Sequence, residues 1–464
     1  MPQVRENKMG VMPVKRLIIS MSLPMMVSML VQAMYNIVDS IFVSQINEQA
    51  LTAVSLAFPL QSLMIAVGSG TGVGINALLS RSLGEKEFKK ADKAANNGLL
   101  LIVFSYLFFL LLGLFASGPF FRAQTDNAVI VEYGSTYLSI VCCLSFGLLF
   151  QMTFERLLQS TGLTIFSMIS QITGAVINII FDPILIFGYF GFPKMGVAGA
   201  AYATVLGQCI AAIVGLALNI RKNRELHLSL AGMFHPSAEV IRKIYSVAIP
   251  SILMMSIGSV MGYLMNTILI GFSETAAAVF GVYFKLQSFF FMPVFGLHNG
   301  LIPVIAYNYG AKRKDRIDEA VRFSIALAFG ILCVGTLCFE LFPERLLGLF
   351  NASEQLMGMG VVALRKIGLH FPLAAIGIIL GSTFQAFSRA VYSLIVSLCR
   401  QLIVLIPSAW LLAVITKDVN QVWWCFIIAE IVSATISIIL YRKLYRDVIA
   451  PLDQNRNRTV SHAG

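Results

Sequence analysis

The chain has 464 residues, of which 57% are hydrophobic and 12% charged, with a net charge of +11. Soluble domains carry roughly 25% charged residues, so a water-soluble enzyme or binding module is excluded and an all-α integral membrane protein is expected. The basic excess does not indicate nucleic acid, because it sits in short loops between apolar runs. The seven cysteines form no CxxC pair and no Cys/His cluster, which indicates neither metal nor disulfide.

The first residues are polar (Arg5, Glu6, Asn7, Lys8), and the first apolar run is too long for a signal peptide. From there the apolar runs predict twelve spans: 17–43, 52–79, 94–117, 134–156, 164–188 and 196–218, then 244–271, 277–308, 320–341, 361–387, 393–415 and 422–442. They are too long and continuous for barrel strands, and in hydrocarbon every backbone group must be bonded within its own segment, so they are helices.

Basic residues lie on one side of this plan: Arg5, Lys8, Lys15 and Arg16; Arg81, Lys86, Lys89, Lys90 and Lys93; Arg221, Lys222, Arg224, Arg242 and Lys243; Lys312, Arg313, Lys314 and Arg316; and Arg442, Lys443 and Arg446. The opposite loops hold little more than Arg122, Lys194, Arg345 and Lys417. The positive-inside rule then puts both termini in the cytoplasm.

The first half of the chain repeats in the second at an offset of 226 residues: Pro24 and Pro250, Leu60-Gln61-Ser62 and Leu286-Gln287-Ser288, Gly74 and Gly300, Lys86 and Lys312, Gln159 and Gln385. An even number of spans per repeat makes the repeats parallel, the plan of a secondary transporter. The expected organisation is an N-lobe at 1–220, a cytoplasmic linker at 221–243, a C-lobe at 244–446 and a polar, disordered tail at 447–464.

A charge at membrane depth costs about 2.5–3.5 kcal/mol on insertion scales, so each needs a reason. Arg16, Glu340, Arg442 and Lys443 stand near span ends and snorkel to water; Asp39, Asp182, Lys285, His298, Arg400 and Glu430 fit that account less well. Asp39 in span 1 and Asp182 in span 5 are expected at similar depth. Asn36 and Asn178 stand one turn before them on the same helix faces, and Pro183 frees the Ile179 carbonyl. Such a set can hold Na⁺ in an oxygen shell, hold a proton, or pin two helices together as a purely structural network. At the repeat offset Asp39 becomes Met265 and Asp182 becomes Ser408, so the second repeat lacks the acids. Lys285 either neutralises an acid across a cavity or snorkels outward, and His298 is either a buried neutral histidine or a proton relay. Prolines and the run Gly68-Ser69-Gly70-Thr71-Gly72-Val73-Gly74 suggest that spans 1, 2, 7 and 8 bend.

These residues resemble the multidrug and toxic compound extrusion (MATE) family in its bacterial branch, over residues 10–445. The segments that carry the resemblance are Leu23-Pro24 with Asn36-Ile37-Val38-Asp39-Ser40, Asn178-Ile179-Ile180-Phe181-Asp182-Pro183, Gly196-Val197-Ala198-Gly199-Ala200-Ala201, and Pro303 through Tyr307-Asn308-Tyr309-Gly310-Ala311-Lys312. Gln159-Ser160-Thr161-Gly162 and Gln385-Ala386-Phe387-Ser388 are also typical of it. The resemblance implies two six-helix lobes in a V around a cavity, and antiport of Na⁺ or H⁺ against organic, often cationic drugs by alternating access. It implies cation coupling, with Na⁺ one of the candidate ions, at Asp39, Asn178 and Asp182, assisted by Thr204 in span 6; Asn36 joins the expected coupling set through its place on the Asp39 helix face. A branch that places acids in C-lobe spans 7 and 10 is not matched. Gln61, Lys285, Gln287 and His298 are the expected substrate-cavity residues. No cofactor besides the coupling ion is expected; the partners are small-molecule drugs and the bilayer of the bacterial inner membrane, with the protein a monomer. A lipid-linked sugar flippase of the same superfamily is the alternative, but its diphosphate needs several cations, and only Lys285 and Arg400 qualify. A channel would need a symmetric pore ring, and no nucleophile–base constellation supports an enzyme.

Overall fold

The computed structural model describes residues 7–350 and 353–452, and for Leu230 the backbone alone. Of the polar tail, residues 447–449 belong to the last helix and a turn follows at Ala450, while 453–464 lie outside the described residues.

The described chain is all-helical. The spans are α1 (Val14–Ser44), α2 (Glu48–Gly84), α3 (Phe88–Phe115), the pair α4 (Ala128–Cys143) and α5 (Phe146–Ser160), α6 (Thr164–Phe187) and α7 (Val197–Lys222). They continue as α8 (Ala238–Ile270), α9 (Glu274–Gly310), α10 (Lys314–Leu341), the pair α11 (Glu354–Gly368) and α12 (Phe371–Ala386), then α13 (Ala390–Thr416) and α14 (Val419–Ile449). Among the described residues ten helices are long and apolar enough to cross a membrane, and twelve spans result when each bent pair counts as one.

The bends follow the prolines only in part: Pro372 opens α12 directly after one of the two sharp breaks. Helices α1, α2, α8 and α9 run unbroken through Pro24, Pro59, Pro250, Pro293 and Pro303. The sharp breaks, 45° and 49°, separate α4 from α5 and α11 from α12. A proline removes one hydrogen bond, which neighbouring helices can compensate; at the α4–α5 break the helix ends at Leu144-Ser145 without any proline.

The duplication is visible in local structure. Asn47 caps α2 by accepting the Ala50 N–H at 2.7 Å, and Ser273 caps α9 by accepting the Ala276 N–H at 3.1 Å. Each such cap is worth about 1 kcal/mol. Lys86 and Lys312 both adopt left-handed backbone, at φ 61° and 54°, in the turns that close α2 and α9.

The chain forms two compact units, Val27–Ile252 and the combination of Met1–Met26 with Leu253–Gly464. Each boundary falls two residues after a repeat proline, inside α1 after Pro24 and inside α8 after Pro250. In one unit the first part of α1 lies on α9, so closely that a β-carbon on Gly300 would stand 2.7 Å from Ser22 Oγ. In the other the first part of α8 lies on α2, where a β-carbon on Gly74 would stand 2.4 Å from the Ile244 carbonyl oxygen.

The segments before α1 and α8 are also tied down. Arg316 donates to the Met9 and Met12 carbonyls at 3.0 and 2.7 Å, and Asn308 donates to Met9 at 3.2 Å. In the Val27–Ile252 unit, Asp92, Asn96 and Asn97 of α3 accept the backbone N–H groups of His227, Ser229 and Ser237 at 2.8, 3.0 and 2.8 Å. The expected linker is therefore an ordered strap. Nearby, burial pushes the Glu85 carboxyl up, but the hydrogen bonds and charges of Arg81 and Lys90 outweigh it and hold it below the usual carboxylate range.

Candidate functional site

The site is built on the contact between α6 and α7. Along α7 the residues Gly199, Ala203, Gly207, Ala211 and Gly215 recur every fourth position, giving one face of small side chains. That face lets the backbones meet: a β-carbon on Gly207 would stand 2.6 Å from the Gly174 carbonyl oxygen and 3.2 Å from Asn178 Cβ. Ser170 closes the same seam by donating to the Ala211 carbonyl at 2.8 Å.

Gly174, Asn178 and Asp182 follow one another at four-residue spacing on α6 and share a face. The close approach therefore places Asn178 beside α7, where its Nδ2 lies 3.3 Å from Thr204 Oγ1 and 3.4 Å from Asp182 Oδ1. With the amide turned over, its nitrogen donates to Asp182 Oδ2 at 3.2 Å and its oxygen accepts the Thr204 N–H at 3.2 Å. Asn178 is 3% exposed and Asp182 0%.

Asp39 of α1 completes the group. Its carboxyl comes within hydrogen-bonding reach of Asp182, while its Oδ1 is buried with no hydrogen-bond partner among the described residues. Two carboxyls this close bond only when one is protonated; otherwise a cation must lie between or beside them. The donors present are oxygens from two carboxylates, a threonine and an amide, which suit Na⁺ as well as a proton.

Two tyrosines that carry no signal in the sequence border the acids. Tyr35 of α1 and Tyr137 of α4 both lie within electrostatic range of Asp39 and Asp182. Tyr137 is 2% exposed, and its hydroxyl accepts a 3.0 Å hydrogen bond from Gln61 Nε2 of α2. Gln61 thus reaches the acid cluster through Tyr137. Asn36 does not join it: the residue is exposed, its side chain makes no hydrogen bond among the described residues, and its carbonyl accepts from Ser40 Oγ at 2.8 Å.

The remaining expected cavity residues lie in the other unit. His298 of α9 sits between the Ile378 carbonyl oxygen, 3.1 Å from Nδ1, and Gln385 Oε1, 3.2 Å from Nε2, both on α12. Lys285 is exposed and Gln287 half-buried. Arg400 of α13 stands 3.7 Å from Glu430 of α14.

A second buried network is likewise absent from the sequence expectations. Glu155 accepts from Gln151 at 3.0 Å, and Arg156 donates to Gln159 at 3.0 Å and to Ser69 at 3.2 Å. Gln159 passes the chain on to Ser167 at 2.8 Å. A charged groove of about 530 Å³, lined by Lys15, Asp315, Asp318, Glu319, Arg322 and Phe323, contains none of the site residues.

The sequence pattern of the MatE family matches residues 24–184 and 250–411. The two matches begin at Pro24 and Pro250, the offset of the internal repeat. The multidrug export protein MepA of Staphylococcus saprophyticus is 26% identical over 424 residues, covering 90% of this chain and 91% of that protein. An FAD transporter of Shewanella oneidensis is 28% identical over 399 residues, covering 86% and 88%. Among solved structures, a multidrug resistance MATE family transporter of the MOP superfamily in an outward-facing conformation superposes with a TM-score of 0.90 at 26% identity, over 97% of this chain and 99% of that chain.

Proposed function

Because this chain belongs to the MatE family of membrane transporters, we propose that it exports organic, often cationic drugs by alternating access, driven by inward flow of Na⁺ or H⁺. The observation that carries the reading is the pairing of Asp39 with Asp182, backed by Asn178 and Thr204. The similarity to multidrug export proteins over nine-tenths of the chain supports the substrate class. Family members are transporters rather than enzymes, and the flippase alternative is not favoured.

With both acids ionised, two like charges share a site of low dielectric, and the repulsion draws in a proton or Na⁺. For Na⁺ the two carboxylates, Thr204 Oγ1 and the Asn178 side-chain oxygen are the donors; for H⁺ the carboxyls share it. Neutralising the pair changes the cost of keeping it buried, and this is the step that couples the ion to movement of the lobes. One net charge moved inward across 100 mV supplies about 2.3 kcal/mol, enough for a gradient of roughly fifty-fold in an uncharged drug; when a monovalent cationic drug leaves for one ion, no net charge crosses and the ion's concentration gradient is the drive.

In this reading the lobes are 1–220 and 244–446, joined by 221–243, with Gln61, Lys285, Gln287 and His298 facing the drug path. The protein sits as a monomer in the bacterial inner membrane with both termini cytoplasmic. The basic loops after α2, α7 and α9 support that orientation. Proteoliposomes given an Na⁺ gradient or a pH gradient, one at a time, test the proposal: a fluorescent cationic drug should move against at least one of them. No movement under either gradient would defeat it.

A further inference from the structure

The unit formed by Met1–Met26 and Leu253–Gly464 holds its own buried polar cluster. Glu430, Ser433 and Ser437 lie on one face of α14, three and seven residues apart, and are 3%, 0% and 0% exposed. All three face Gly377 of α12. A β-carbon there would stand 3.6 Å from Ser433 Oγ, 3.7 Å from Glu430 Oε1 and 4.0 Å from Ser437 Oγ. Three oxygens therefore surround one point beside a residue that has no side chain of its own.

None of these three oxygens has a hydrogen-bond partner among the described residues, and neither has the buried Tyr283 hydroxyl of α9, which lies in electrostatic range of Glu430. Serines and threonines in apolar helices usually bond back to a carbonyl of the preceding turn. Thr435, on the same helix, does so, donating to Ile431 at 2.8 Å. Ser433 and Ser437 leave that bond unmade. The other carboxylate oxygen, Glu430 Oε2, lies 3.7 Å from Arg400 Nη1, within range of its charge but too far for a hydrogen bond. Arg400 stands in a stretch of π-helical turns, Cys399–Leu405, a distortion often kept at functional positions.

We propose that Glu430 Oε1, Ser433 Oγ and Ser437 Oγ form a second site for a monovalent alkali cation, Na⁺ or one of its congeners. The donors are all oxygen and carry a single negative charge. Among the described residues no three His, Cys, Asp or Glu side chains are placed to hold one metal ion, and a single carboxylate gives a divalent ion too little charge here. Gly377 leaves the room, and Arg400 shares the carboxylate from the other side, weakening the ion's hold so that it exchanges. The site uses α12 and α14 and does not involve Asp39 or Asp182, so the two readings stand or fall separately.

The test uses the full chain carrying Asp39→Asn and Asp182→Asn, reconstituted in phospholipid nanodiscs. Thermal unfolding is followed in NaCl against choline chloride at equal ionic strength. Saturable stabilisation by Na⁺ is expected to persist in this background. Adding Glu430→Gln should abolish it, and Gly377→Ala, whose β-carbon meets only ordinary contacts, should shift the Na⁺ midpoint by about tenfold. Should Glu430→Gln fail to fold in choline, Gly377→Ala and Ser433→Ala decide the matter. Absence of an Na⁺ response in the Asp39/Asp182 double variant, or a response that these substitutions leave unchanged, overturns the proposal and assigns the space to bridging water.

Discussion

Asn178 stands one helical turn before Asp182, and its amide touches both that carboxylate and Thr204 of the neighbouring helix. A hydrogen bond to a charged group is worth about 1.5–3 kcal/mol. Asn178→Ala should therefore weaken ion coupling by roughly ten- to a hundred-fold, while the helices stay packed through Gly174 and Gly207. The check is the ion concentration that half-saturates drug efflux in vesicles; an unchanged value would remove Asn178 from the site.

Gly207 sets that geometry, so enlarging it should damage both stability and function. Gly207→Ala forces a methyl to within 2.6 Å of the Gly174 carbonyl oxygen, and overpacking of this kind costs about 1–3 kcal/mol. Gly330→Ala is the control, since nothing lies within 4 Å of its β-position. Thermal unfolding in detergent should separate the two variants, with only Gly207→Ala lowering the midpoint.

The Gln61–Tyr137 bond links α2 to α4 beside the acids. A double-mutant cycle of Gln61→Leu and Tyr137→Phe should return a coupling energy of about 0.5–1.5 kcal/mol in stability. A value near zero would mean that the two side chains act independently.

Arg316 clamps the carbonyls of Met9 and Met12 and pairs with Asn308 at 2.9 Å. Arg316→Ala should free the Lys8–Val11 turn, raising amide exchange there while leaving the strap at 227–237 protected. Equal exchange in variant and parent would show that the clamp contributes nothing.

How much of the fold and site is legible in the sequence depends on contrast. Asp39 and Asp182 stand out because a carboxylate in an apolar run demands a reason, and Asn178 follows from its spacing. Thr204 is reached only through the family resemblance, since a single threonine in an apolar helix has no signal. Tyr35 and Tyr137 read as ordinary core aromatics, and only tertiary packing brings them within electrostatic range of the acids. Glu155 and Arg156 fall at the end of the apolar run of span 4, where charges pass for interfacial ones; α5 instead continues to Ser160 and buries both. The bend at 369–370 is legible from Pro372, which stands in the first turn of α12, whereas the bend at 144–145 has no proline to announce it and Pro24, Pro59, Pro250, Pro293 and Pro303 lie within unbroken helices. The small residues of α7 recur at four-residue spacing, a pattern that by itself signals a close helix contact.

The central claim is that Asp39 and Asp182 couple ion entry to drug export. It is tested most directly by reconstituting the Asp39→Asn variant in proteoliposomes and measuring drug movement under the gradient that drives the parent protein. The account predicts that the variant still binds drug but no longer concentrates it in response to that gradient. Gradient-driven transport at the parent rate would contradict it.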